Sequence, residues 1–180
     1  FGMYRTNPEE FIIRAGKIID GRKSSAVIEH IAYHKMDQQY EADIFSEQEL
    51  RGRIGIDALP STKSLYDLVV VDSQGVEKRF AEELEQQEMV EVYTKLPRGF
   101  YISTPMGRYN PDWAIAFREG SVKHIYFVAE TKGSEDVTQL REVEQNKIEC
   151  ARRHFASISD STVKFDVVSS YSTLYNKVMK

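Results

Sequence analysis

The sequence predicts an α/β fold, a mixed β-sheet with helices on its faces. Three observations lead there. From residue 64 onward the apolar pattern switches repeatedly between two-residue and three-to-four-residue spacing. In order, it reads strand, helix, strand, strand, strand, helix, strand, the interleaving of a sheet covered by helices. In the middle, Gly107 to Gly133 holds two apolar runs joined by a Gly-containing polar turn, the pattern of a β-hairpin.

Residues 1–60 are expected to form a helical and extended lead-in, and 61–180 the core. Asn7 before Pro8-Glu9-Glu10 reads as a helix N-cap with Pro at the first helical position. Phe11, Ile12, Ala15, Ile18 and Ile19 continue at helical spacing, and Asp20-Gly21 is expected to end the helix. Val27, Ile28, Ile31 and Ala32 fit a helix. Ile31 and Tyr33 also fit a strand running through Tyr40 to Phe45, and a strand after His30 is the expectation. Gly52, Gly55 and Pro60 mark residues 46–63 as a loop.

Leu65 to Val71 is β-rich and stops at Asp72-Ser73-Gln74-Gly75. Val76, Phe80, Ala81 and Leu84 give a helical face to 76–88, with Glu77 on its flank. Met89 to Leu96 alternates as a strand, with Val90, Val92 and Thr94 on one side and Glu91, Tyr93 and Lys95 on the other. Pro97-Arg98-Gly99 breaks it, and Phe100-Tyr101-Ile102 is a short extended piece. The hairpin pairs Trp113–Phe117 with 124–129, turning at Arg118 to Ser121. A helix over 137–156 carries the stripe Leu140, Val143, Lys147 (by its stem), Ile148, Ala151 and Phe155. Val163 to Ser169 is a strand, with Val163, Phe165 and Val167 on one face. Residues 171–180 add a short helix. There is no internal repeat or low-complexity segment.

Composition excludes several classes. The single cysteine, Cys150, excludes an internal disulfide framework and a multi-Cys zinc site, and reads as a small buried residue. No apolar run reaches the ~18 residues of a membrane span, so no membrane partner is expected. No basic start followed by an apolar core marks a signal peptide. The four histidines form no metal spacing, and Trp113 reads as core. The chain begins at Phe1, which points to a piece of something longer. Its formal net charge of −4 disfavours nucleic-acid binding, so a local basic patch or a partner would have to supply phosphate contacts. Lys95, Arg98, Arg108, Lys123, Arg152 and Arg153 are candidates, although single basic residues are usually solvated.

The chemistry concentrates at one end of the hairpin. In an antiparallel pair the start of one strand lies beside the end of the next, which brings Asp112 and Glu130 together. Lys132, two residues beyond Glu130, leaves the same face. Two neighbouring carboxylates resist ionising together. A divalent cation removes that penalty, and a few carboxylates with open positions suit Mg²⁺. Such a metal activates water for in-line attack on phosphorus. Lys132 would hold or help deprotonate that water, or stabilise the developing charge. Glu77 and Glu144, each on a helix, are further ligand candidates. Each residue has a plainer reading as well: Asp112 as a turn residue, Glu130 and Lys132 as solvated strand-end residues, Glu77 as a surface acid. Glu144 and Lys147 read equally as an intrahelical pair.

Pro111-Asp112 followed by Glu130-Thr131-Lys132 resembles the motif of the PD-(D/E)xK nuclease superfamily. The surrounding text is similar to the C-terminal endonuclease domain of the restriction subunit of type III restriction enzymes. The likeness runs through Ser64-Leu65-Tyr66-Asp67, Asp72-Ser73, Val76-Glu77 with Phe80-Ala81, and Lys95-Leu96-Pro97. It continues in Thr104 to Gly107, Tyr109 to Ala114, Tyr126-Phe127-Val128, and Leu140-Arg141 with Glu144, Lys147 and Cys150-Ala151. It covers roughly residues 60–160.

The resemblance implies a restriction-endonuclease-like fold and a Mg²⁺-dependent, site-specific deoxyribonuclease. Asp112 and Glu130 would be metal ligands assisted by Glu77, Lys132 the catalytic lysine, and Glu144 and Lys147 auxiliary. It further implies double-stranded DNA and a methyltransferase subunit as partners and a bacterial cytoplasmic setting. An ATP-driven motor is expected upstream, because no G-x-x-x-x-G-K-[ST] loop occurs in the sequence. The rival readings are a repair or recombination nuclease of the same superfamily, and a non-catalytic DNA- or partner-binding module of the same fold.

Overall fold

The computed structural model describes residues 5–34, 52–122, 126–132, 142–159 and 162–180. Its elements, in chain order, are α1 (Pro8–His30), β1 (Ala58–Pro60), β2 (Leu68–Val70), α2 (Val76–Gln86), β3 (Val90–Lys95) and β4 (Ile102–Thr104). There follow β5 (Gly107–Tyr109), β6 (Trp113–Phe117), β7 (Tyr126–Thr131), α3 (Glu142–Ile158), β8 (Val163–Val168) and α4 (Tyr171–Val178). Among the described residues no helix is long and apolar enough to cross a membrane.

A four-stranded sheet in the order β3-β6-β7-β8 forms the centre. β6 pairs antiparallel with both β3 and β7, and β8 joins β7 in parallel, so the sheet is mixed. The parallel pair needs a crossover, and α3 lies within it. One face carries Trp113, Ile115, Phe117, Phe127 and Ala129 against Phe80, Ala81 and Leu84 of α2 and Leu174 and Val178 of α4. The other face packs Phe165 and Val167 against Ile148, Ala151 and Phe155 of α3. This is the α/β arrangement expected, a mixed sheet flanked by helices. Trp113 is fully buried, as expected of a core residue.

Several elements depart from the sequence pattern for identifiable reasons. α1 runs through Gly21 to His30. An interior Gly costs about 1 kcal/mol, which docking can offset. The docking lies beyond it: Ile28 is buried, and Ser25 donates to Glu142 of α3 at 3.4 Å. Phe11, Ile12, Ile18 and Ile19, the stripe expected to be buried, are exposed instead. Residues 31–34 form no strand, and the remainder of that expected strand, like residues 46–51 of the expected loop, lies outside the described residues. The later part of that loop contains β1, which pairs with β2.

The alternation in β3 is interrupted. Val90 lies opposite Phe117 but Val92 opposite Ala116, a register shift that adds a residue to β3. Val90 and Tyr93 therefore share one core although strict alternation separates them. Ile102 belongs to a tight hairpin, β4 with β5, whose turn ends at Gly107 with φ +99°. In α3, Ile148, Cys150, Ala151 and Phe155 are buried as the spacing suggests, but Val143 is exposed, and Leu140 lies outside the described residues.

Candidate active site at the end of the β6–β7 hairpin

Register decides which groups meet. Trp113 lies opposite Ala129, so Asp112 and Glu130 fall side by side at the open end of the pair. The Asp112 amide donates to the Ala129 carbonyl at 3.1 Å and continues the ladder one step past β6. The Asp112 carboxylate then turns across the strand end. Its Oδ2 accepts from the amide and the hydroxyl of Thr131, each at 2.7 Å. Its Oδ1 accepts no hydrogen bond from the described residues. Asp112 is half-buried, so its carboxylate is partly open to solvent.

Glu130 is 5% exposed. Its Oε2 accepts from the Tyr109 hydroxyl at 2.8 Å, and its Oε1 lies 2.9 Å from the Lys132 ammonium. Lys132 also reaches Oε1 of Glu144 at 2.5 Å, tying β7 to α3. Burial pushes the Glu130 carboxyl up and the Asp112 charge adds to this. Lys132 and Tyr109 offset part of the effect, leaving the group at about 7. Burial likewise raises Asp112, against the two Thr131 hydrogen bonds that favour its charge. For Lys132, burial disfavours the ammonium, but Glu144 and Glu130 outweigh it and hold the group above its ordinary value. Glu144 and Glu130 thus favour the ammonium form of Lys132.

Glu77, on the first turn of α2, is 9% exposed. Its Oε2 accepts from the Asp72 amide at 2.6 Å, the Ser73 amide at 3.3 Å and the Lys95 ammonium at 2.9 Å. Lys95 bonds Asp72 as well, at 2.5 Å. The charges of Glu77 and Lys95 both reach Asp112 and act on it in opposite senses. Glu77 is therefore near the site but committed to Lys95. Among the described residues no three His, Cys, Asp or Glu side chains converge as a metal cage. The structure thus sets Asp112 beside Glu130 and ties Glu130 through Lys132 to Glu144, while Glu77 acts on Asp112 by its charge and bonds Lys95.

Glu144 and Lys147 do not pair with each other. Glu144 serves Lys132, and Lys147 donates to the Arg108 carbonyl at 3.1 Å. Of the candidate phosphate contacts, Lys95 is held by Glu77 and Asp72, Arg152 by Asp166 at 2.9 Å, and Arg153 by Glu149 at 3.2 Å. Lys123 lies outside the described residues. Sequence reasoning missed Tyr109 and Thr131. Both stand within the similar segments, Thr131 between the acid and the lysine, but neither type signals a role without a partner in space.

The donor set fits a hard divalent ion. Burial raises both carboxyls, the Asp112 charge raises Glu130 further, and a cation between them would offset that cost. Two carboxylates with other positions left to water and phosphate suit Mg²⁺. The endonuclease domain family model matches residues 62–171, more than half of the chain. Comparison with curated proteins and with solved structures gave no match. The matched span contains β2 through β8 with every site residue named above, and the chain belongs to the endonuclease domain family.

Proposed function

We propose that the chain is the DNA-cleaving domain of the restriction subunit of a type III restriction–modification enzyme, with Asp112 and Glu130 holding Mg²⁺. The observation that carries this reading is the side-by-side pair of acids, buried Glu130 and half-buried Asp112, with Lys132 locked between Glu130 and Glu144, inside an endonuclease-family chain. The similarity of the segments around them supports the type III assignment. When bound, the ion supplies charge neutralisation and a water acidic enough to attack phosphorus near neutral pH.

The chain's own groups do the rest. Thr131 fixes Asp112 through Oδ2 and leaves Oδ1 without a hydrogen bond from the described residues. Tyr109 orients Glu130. The Lys132 ammonium positions the attacking water and stabilises negative charge growing on the phosphoryl oxygens. Glu77 acts at one remove, holding Lys95 and the Asp72–Ser73 turn beside Asp112. The motor that hydrolyses ATP and the methyltransferase subunit that reads the sequence belong to the assembled enzyme in this reading.

Asp112→Ala and Lys132→Ala, each tested in the intact enzyme complex, should abolish cleavage of double-stranded DNA while ATP hydrolysis continues. Full cleavage by either variant would overturn the assignment. The absence of a third acid from the cluster among the described residues keeps one rival in view, a binding module without catalysis. Calorimetric titration with Mn²⁺ separates the two, since the rival requires no binding that depends on Asp112.

A further inference from the structure

A cleft of about 1400 Å³ opens beside Glu130, with Glu144 near it. Four cations line it: Lys17 and Lys23 from α1, Arg108 from β5 and Lys147 from α3. Glu130, Glu142 and Glu144 line it too, so the cleft sets four cations against three carboxylates in a chain whose net charge is −4. None of the four spends its charge on a carboxylate among the described residues. The Arg108 guanidinium sits 4.2 Å over the Tyr101 ring, a contact that aims the group without neutralising it. Lys147 donates to a carbonyl, which leaves its charge in place. Lys17 and Lys23 are exposed and form no ion pair with the described residues. By contrast Lys95, Arg152 and Lys177 each bond a carboxylate. The remaining acid of the cleft, Glu142, accepts from Ser25 of α1.

α1 is held where this cleft needs it. Asn146 donates to Ser25 at 3.2 Å, Arg153 to the Ile28 carbonyl at 2.6 Å, and Tyr33 to the Ser103 carbonyl at 2.9 Å. The helix lies outside the span matched by the family model. Cations from three elements in a cleft that reaches the Glu130 carboxylate suit a long polyanion whose backbone contacts the cations beside the acids. Lysines and one stacked arginine make charge contacts to phosphate and carry little base readout.

We propose that Lys17, Lys23, Arg108 and Lys147 form a phosphate-contacting track that seats the backbone of duplex DNA against Glu130, with α1 as one wall. The direction of the track rests on the reading of Asp112 and Glu130 as the cleavage site; the charge contacts do not depend on it.

The test is binding of a fluorescently labelled DNA duplex by the whole chain, followed by anisotropy over a salt series with Ca²⁺ present. The Lys17→Gln/Lys23→Gln double variant should weaken binding by the same factor on two unrelated duplexes. Its plot of log affinity against log salt should be shallower by about 2. Arg108→Gln, which leaves α1 untouched, should flatten the slope by about 1. Arg79→Gln on α2, which packs on the opposite face of the sheet, should change neither quantity. Unchanged affinity and slope in both cleft variants would overturn the track, as would failure of the wild-type chain to bind the duplex. Asp112→Ala keeps the two readings apart. Full cleavage by Asp112→Ala in the intact enzyme, with the salt slopes of the cleft variants flattened, would sink the nuclease site alone, while loss of cleavage in Asp112→Ala with those slopes unmoved would sink the track alone.

Discussion

Asp112 and Glu130 stand at the centre of the residue-scale picture because both are harder to ionise than an ordinary carboxyl. Burial is the larger cause for both, and for Glu130 the Asp112 charge comes next. Because the Glu130 carboxyl is raised to about 7, the folded chain holds a proton there that the unfolded chain has already lost. That contribution to stability is complete below the unfolded value near 4.3 and disappears as pH rises through about 7. Buried His154 resists protonation and acts in the opposite sense below about pH 6.5, but it does so equally in any Glu130 variant. Glu130→Gln, neutral at all pH, should therefore melt above wild type at pH 8, by on the order of 1–3 kcal/mol. The two should converge below about pH 4, and cleavage should be lost. Parallel pH profiles of the two melting curves would contradict this.

At the scale of elements, local pattern and docking divide the work. The apolar spacing of α2 and α3 and the alternation of β6, β7 and β8 were readable because each buries one stripe or face against a neighbour. The bulge in β3 was not, since an extra residue is revealed only by what the partner strand places opposite it. α1 shows the opposite failure: its regular stripe is exposed, and its single buried apolar anchor, Ile28, lies past the glycine where the pattern appears to end. Gly16 in the same helix has open space where a Cβ would go, with nothing within 4 Å. Gly16→Ala should therefore stabilise the chain by about 0.5–1 kcal/mol, read from the denaturant midpoint. A destabilised variant would mean that α1 does not hold this conformation.

At the scale of the whole molecule, the site lies where three parts meet: the β6–β7 hairpin with the acids and Lys132, α3 with Glu144, and β5 with Tyr109. A ligand that binds this meeting point only in the folded state stabilises the fold as a unit, by about 2.7 kcal/mol at a hundred times its Kd. Mn²⁺ or Mg²⁺ at pH 8 should therefore raise the melting temperature of wild type and leave that of Asp112→Ala unmoved. An equal shift in both would place ion binding elsewhere. The sequence by itself determined the α/β order, the hairpin and the adjacency of Asp112 to Glu130, because periodicity and antiparallel register are short-range rules that a chain carries in its own text. Only the tertiary structure decided that Glu77 is held by Lys95, that Glu144 reaches Lys132, that Tyr109 and Thr131 fix the two acids, and that α1 brings lysines to the cleft. Those outcomes depend on which distant side chains reach the same few ångströms, and no local pattern encodes that.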